Sequence, residues 1–128
     1  SNLISIQYAL KRLHQESVVT SDPQIINSAS HVILPGVGTA KRGMNYLRKT
    51  NLVTVIQQLT QPVLGICLGM QLLYDISAED NTDCLGIIPG RVDLLKSTTE
   101  LMVPHMGWNT LKINTKTNPI LKGIEEHP

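Results

Sequence analysis

The sequence predicts an α/β fold built on a mostly parallel sheet. Short apolar runs at 31–34 and 63–66 alternate with stretches carrying apolar residues at helical spacing. Each switch is punctuated by Pro or Gly, as at Pro35-Gly36 and Pro62. Sheets of this kind place ligands at the carboxyl ends of their strands, and two glycine-rich motifs fall there, after Leu34 and after Ile66.

The elements follow in order. Leu3, Ile6, Leu10 and Leu13 predict a first helix, with Asn2 as its N-cap and Lys11 and Arg12 on its polar side. Residues 17–20 read as a short strand. Asp22-Pro23 opens a short helix with Pro at its first position. After the strand at 31–34, Thr39 caps a helix that turns Met44 and Leu47 inward. Leu52, Val55, Ile56 and Leu59 mark another. Residues 63–66 read as a buried strand and 68–74 as the helix following it. The polar, acidic stretch 77–83 reads as a surface loop. Strand-like pieces follow at 85–88, 91–95 and 111–113, with turns at Pro89-Gly90 and Met106-Gly107.

The 128 residues form at most one domain, without repeats or linkers. With 41% hydrophobic and 16% charged residues, the chain can bury a core and is not of a disordered class. It contains no Phe, so that core must be aliphatic. A net charge of +1, with scattered basic residues, points away from nucleic acid and membrane surfaces. No apolar run approaches a membrane span. The start, Ser1-Asn2-Leu3, lacks the features of a signal peptide, and a cytoplasmic, reducing setting is the expectation. Cys67 and Cys84 have neither disulfide-framework nor zinc spacing, so no metal is expected.

Gly65-Ile66-Cys67-Leu68-Gly69 carries the chemistry. A sharp strand-to-helix turn with Gly two residues before and after a nucleophile exposes that nucleophile above the sheet. A helix start behind it favours the thiolate and offers the Leu68 N–H to an oxyanion. A lone cysteine usually serves as a small buried hydrophobe; both glycines at the right offsets favour the reactive reading for Cys67, whereas Cys84 reads as structural. Gln71 lies one turn later on the same helix face, either reaching a substrate's polar head or simply solvated. Pro35-Gly36-Val37-Gly38 follows a strand and can present a backbone N–H, although a plain turn would look the same. Pro104-His105-Met106-Gly107-Trp108-Asn109 holds the one Trp. His105 could be a general base but has nothing aiming it at the thiol. Met106 and Trp108 suit an interaction surface, the alternative being that Trp108 fills a core.

Together these motifs resemble the class I (triad) glutamine amidotransferases and, within them, the glutaminase subunits of imidazole glycerol phosphate synthase from histidine biosynthesis. The resemblance runs from Asn2 through Gly123-Ile124-Glu125. It implies a three-layer, flavodoxin-like arrangement, with residues 1–128 a partial glutamine amidotransferase type-1 domain. It implies that Cys67 attacks the glutamine carboxamide, releases ammonia and leaves a glutamyl thioester for water. Val37 and Leu68 would form the oxyanion hole, and Gly36, Gly38 and Gln71 would contact glutamine. Asn2, Met106 and Trp108 would lie near a (β/α)8-barrel cyclase subunit, which receives the ammonia. No metal or organic cofactor is implied.

Members of that family open with an apolar strand before the position of Asn2 and continue past that of Pro128, where they carry the catalytic His and Glu. The expectation is a chain truncated at both ends, incompetent alone and poorly soluble. Two other readings stand beside it: a related triad amidotransferase or Cys hydrolase, and a non-catalytic relative serving as a binding or regulatory subunit.

Overall fold

The structure, a computed structural model, describes residues 2–100, 102–113 and 118–124. The chain divides into two compact units, Ser1–Leu94 and Leu95–Pro128.

In the first unit, helix α1 (Asn2–Arg12) starts at Asn2 itself, which is therefore its first residue rather than its cap; the Asn2 side chain lies outside the described residues. The helix stops at His14, whose φ of 54° is left-handed. His14 N–H donates to Lys11 O (3.0 Å) and Gln15 N–H to Leu10 O (2.9 Å), the paired bonds of a Schellman stop. Of the apolar stripe, Ile6 and Leu10 are half-buried while Leu3 and Leu13 are exposed. Spacing fixed the helix but not what covers it. Residues 17–20, expected as a strand, form no sheet pairing among the described residues, and Val18 and Val19 are exposed. β-branched residues favour extended backbone, but a strand requires a hydrogen-bonded neighbour.

Helix α2 (Pro23–Ser28) starts as expected, with the Asp22 carboxylate accepting Gln24 N–H at 2.8 Å. Strands β1 (Val32–Leu34) and β2 (Val63–Gly65) pair in parallel, with Val32 opposite Val63 and Leu34 opposite Gly65. Between them run α3 (Ala40–Lys49) and α4 (Leu52–Gln57), the first capped by Thr39 Oγ1, which accepts Arg42 N–H. Leu59 falls beyond α4 yet packs against the core. Leu64, expected to be buried, is 50% exposed, because β2 alternates its side chains and covers only one face.

Helix α5 (Leu68–Leu72) is shorter than expected, since Tyr74 already begins β3 (Tyr74–Ser77). β3 pairs antiparallel with β4 (Thr82–Asp83) and parallel with β5 (Ile88–Val92). The stretch 77–83 is therefore no simple surface loop: Ser77 and Thr82 are buried, joined by a 3-10 turn at Glu79–Asn81. β5 runs straight through Pro89-Gly90, where a turn was expected. The ladder tolerates this through a register shift opposite Tyr74 and Ile76, and Gly90 N–H goes to Asp75 Oδ2 at 2.8 Å.

Two of the three strand pairings among the described residues are parallel, in keeping with the α/β expectation. The core is aliphatic. Ala40, Met44 and Leu47 of α3 meet Leu52 and Ile56 of α4, then Leu68, Leu72, Leu73 and Leu85. Each large side chain contributes about 1.5–3 kcal/mol by leaving water. Because Leu68 and Leu72 belong to α5, this core anchors the helix that follows Cys67.

In the second unit, residues 111–113 are not a strand, the chain bends at Gly107, and a 3-10 turn at Pro119–Leu121 is capped by Asn118. Glu125 and His127 lie outside the described residues.

Candidate active site

β2 ends at Gly65 and α5 begins at Leu68, leaving Ile66 and Cys67 to make the turn. Ile66 N–H donates to Leu34 O at 3.0 Å, tying the turn to the end of β1. Cys67 sits at φ 54°, ψ −118°, backbone that an L-residue adopts only under constraint, at about 1–3 kcal/mol. Its thiol-bearing residue is exposed. A Cβ at Gly69 would lie 1.8 Å from Leu34 O, and one at Gly65 2.6 Å from Met70 Cα. Neither position has room for a side chain, which is the reason the sequence pattern gave for both glycines. A strained, exposed cysteine on a turn closed by steric necessity has the form of a nucleophile elbow.

The second motif lies against the first. A Cβ at Gly36 would press on Leu68 Cβ (3.0 Å) and Gly69 N (3.1 Å), so this glycine lets the loop approach the start of α5. Gly38 differs, with φ +95° and nothing within 4 Å of its Cβ position. Val37 between them is 63% exposed. Leu68 N–H, the expected oxyanion donor, here donates to Gly36 O at 3.3 Å. Gln71 is half-buried one turn into α5, its N–H on Cys67 O at 3.2 Å. The structure thus gathers Gly36, Val37, Gly38, Cys67, Leu68 and Gln71 around the adjoining ends of β1 and β2.

Cys84 contrasts with Cys67. It packs against the core, and its Sγ donates to Thr82 O at 3.4 Å. Burial pushes its thiol pKa up, opposed by a backbone hydrogen bond at Ser77 and by Arg48, and reinforced by Asp83. It stays a protonated packing residue.

His105, Met106 and Trp108 belong to the second unit. There the Asn109 Nδ2 donates to His105 Nε2 at 2.9 Å, while Met106 and Trp108 are exposed. Trp108, fully exposed, fills no core. His14, two residues before Glu16, serves as the left-handed stop of α1. Among the described residues, no three metal-ligating side chains cluster, and no helix is long and apolar enough to cross a membrane.

One residue near the loop was not foreseen. Glu79 Oε2 accepts Ala40 N–H at 2.7 Å, reaching the first residue of α3 across 39 positions. No local pattern encodes so distant a contact; the acidic run around it read as solvated.

The sequence profile of the glutamine amidotransferase class-I family matches residues 2–127. The chain belongs to that family. Within it, this amidotransferase chain is 52% identical over 124 residues to Imidazole glycerol phosphate synthase subunit HisH 2 of Legionella pneumophila strain Lens, covering 97% of the chain and 62% of that protein. Against the subunit HisH of Idiomarina loihiensis it is 48% identical over 121 residues, covering 94% and 61%. Against HisH 1 of Vibrio vulnificus strain YJ016 the identity is 43% over 132 residues, covering 98% and 64%. The chain therefore spans somewhat less than two thirds of the length of these relatives.

Proposed function

We propose that residues 1–128 form the nucleophile-bearing part of a glutamine amidotransferase domain, and that the whole protein is the glutaminase subunit of imidazole glycerol phosphate synthase. The observation that carries this reading is the backbone of Cys67, left-handed, exposed and closed by two glycines that admit no side chain. The similarity to subunits named for that synthase supports the choice within the family.

The chemistry follows from the groups present. The Cys67 thiolate adds to the carboxamide carbon of glutamine, and its oxygen becomes an oxyanion. The C–N bond then breaks, the nitrogen leaves as ammonia with the thiol's proton, and a γ-glutamyl thioester remains. Water cleaves the thioester to glutamate and returns the thiol. Leu68 N–H and Val37 N–H hold the oxyanion, while Gly36, Gly38 and Gln71 contact the glutamine. The loop then has two arrangements. In one, Gly36 O occupies Leu68 N–H; in the other, rotation of the Gly36–Val37 peptide replaces that acceptor by a second donor. Docking of a (β/α)8-barrel cyclase subunit against Asn2, Met106 and Trp108 selects the second arrangement in a cytoplasmic heterodimer. Ammonia passes to the cyclase, giving imidazole glycerol phosphate and an aminoimidazole carboxamide ribotide, so the assembly combines hydrolase and lyase activities. It uses no cofactor and binds neither nucleic acid nor membrane.

The test is thiol labelling by a glutamine-analogue electrophile, on the full-length gene product mixed with its cyclase. Labelling confined to Cys67, blocked by glutamine and accelerated by the partner, is expected. Absent labelling, or equal labelling of Cys84, would move the protein to a binding or regulatory role.

A further inference from the structure

The loop at residues 35–39 is fastened at both ends and open between them. At its start, Ile66 N–H holds Leu34 O and Leu68 N–H holds Gly36 O. Its far end is Ala40, whose N–H is taken by the Glu79 carboxylate at 2.7 Å. Thr39 already caps α3 through Arg42 N–H, so Glu79 does not substitute for the cap; it claims a different donor, the one where the loop stops. Val37 and Gly38, in the middle, lie in open space.

Glu79 is itself held in place. Its N–H donates to Ser77 Oγ at 3.2 Å, and its carbonyl accepts the Thr82 hydroxyl at 2.8 Å. Both hydroxyl residues are buried. The two residues after it, Asp80 (φ 53°) and Asn81 (φ 46°), are left-handed. The left-handed pair belongs to the turn that joins the antiparallel strands β3 and β4, and the two buried hydroxyls tie Glu79 to that turn. They hold the Glu79 backbone, and from it the carboxylate reaches Ala40 N–H, a charged acceptor on a helix-terminal N–H being a strong hydrogen bond.

We infer that Glu79 is a positioning residue for the glycine-rich loop and, through it, for the oxyanion site; this second step rests on the glutaminase reading above. With both ends fixed, the loop's freedom reduces to rotation of the peptides between residues 36 and 39. That makes a two-arrangement device of it. Packing holds Ala40, which is fully buried in the core, while the Glu79 contact sets the orientation of the Thr39–Ala40 peptide; without it, the Val37 donor loses a reproducible position. Misplacing a catalytic group by about 1 Å can cost a hundredfold in rate.

The experiment compares Glu79→Ala and Glu79→Gln with wild type, in the full-length protein bound to its cyclase. It reads amide hydrogen exchange at residues 36–40 together with kcat and KM for glutamine. Glu79→Ala should speed exchange at Ala40 and in the loop about tenfold or more, and lower kcat by roughly ten- to a hundredfold with KM nearly unchanged. Glu79→Gln keeps an acceptor oxygen and should restore most of both. Unchanged exchange in Glu79→Ala overturns the inference. So does a rise in KM at constant kcat without rescue by Gln, which would put Glu79 on the substrate. A rate loss matching only the unfolded fraction would also overturn it. If wild type proves to have no glutaminase activity, that reading fails by itself, and the exchange data still decide whether Glu79 holds the loop.

Discussion

The two glycine-rich turns sit side by side, and Gly38 of the second uses glycine for the opposite reason to Gly65 and Gly69 of the first. At residues 65–69 the glycines are there because no space exists: a Cβ at Gly69 would lie 1.8 Å from Leu34 O. At Gly38 space is ample and the constraint is a φ of +95°. The first turn is a fixed shape, clamped by the core through Leu68 and Leu72. The second is clamped only at its ends. On the reading proposed above, the first turn aims the attacking atom and the second carries the donor that is switched.

The sharpest break in that contrast is Gly69→Ala. Its methyl meets backbone on the adjoining strand end rather than a movable side chain, so a loss of more than about 3 kcal/mol is expected, measured by denaturant unfolding. Gly38→Ala meets no atom and pays only for its backbone, about 1–2 kcal/mol. In the full-length complex it should nonetheless lower glutaminase turnover by about tenfold or more, because the Val37 peptide can no longer rotate freely. Equal turnover for Gly38→Ala and wild type would remove the peptide-rotation idea. Cys67→Gly runs the other way: relieving the left-handed strain, less the entropy of an added glycine, should stabilise the protein by about 1 kcal/mol while abolishing labelling. A melting temperature lower than that of Cys67→Ala would show the strain to be absent.

The smallest effect belongs to Cys84. Burial raises its pKa in the folded state above the unfolded thiol value. Its contribution to stability is therefore fully present below the unfolded pKa and lost as pH rises through the folded one. Stability of wild type should decline on the alkaline side, and Cys84→Ser should flatten that decline; identical pH profiles would rule it out.

What could be read from the sequence was local. Thr39 as a cap, Asp22-Pro23 at a helix start, and the glycines around Cys67 are all short-range chemistry, and each holds. The pairing of residues distant in the chain could not be read. Tyr74 fits a helix by spacing yet begins β3, because β5 and β4 lie ready to pair with it. Residues 77–83 read as solvated from their acidity, while Ser77 and Thr82 are buried to hold a turn. Glu79 escaped for the same reason, its partner standing 39 positions away. The candidate site was half visible: Cys67 and the two glycine-rich turns by motif, the occupation of Leu68 N–H by Gly36 O only by geometry.

The passage of β5 through Pro89-Gly90 bears on how copies of this chain behave when crowded. β5 is an edge of the three-stranded sheet seen among the described residues. Edges recruit foreign strands by offering rows of unsatisfied amides. Pro89 has no amide hydrogen to offer, and that of Gly90 is already taken by the Asp75 carboxylate. Two consecutive positions thus offer no amide hydrogen to an incoming strand, and the pairing beside them is irregular at Tyr74 and Ile76. The same residues that looked like a turn withhold two amide donors from that edge.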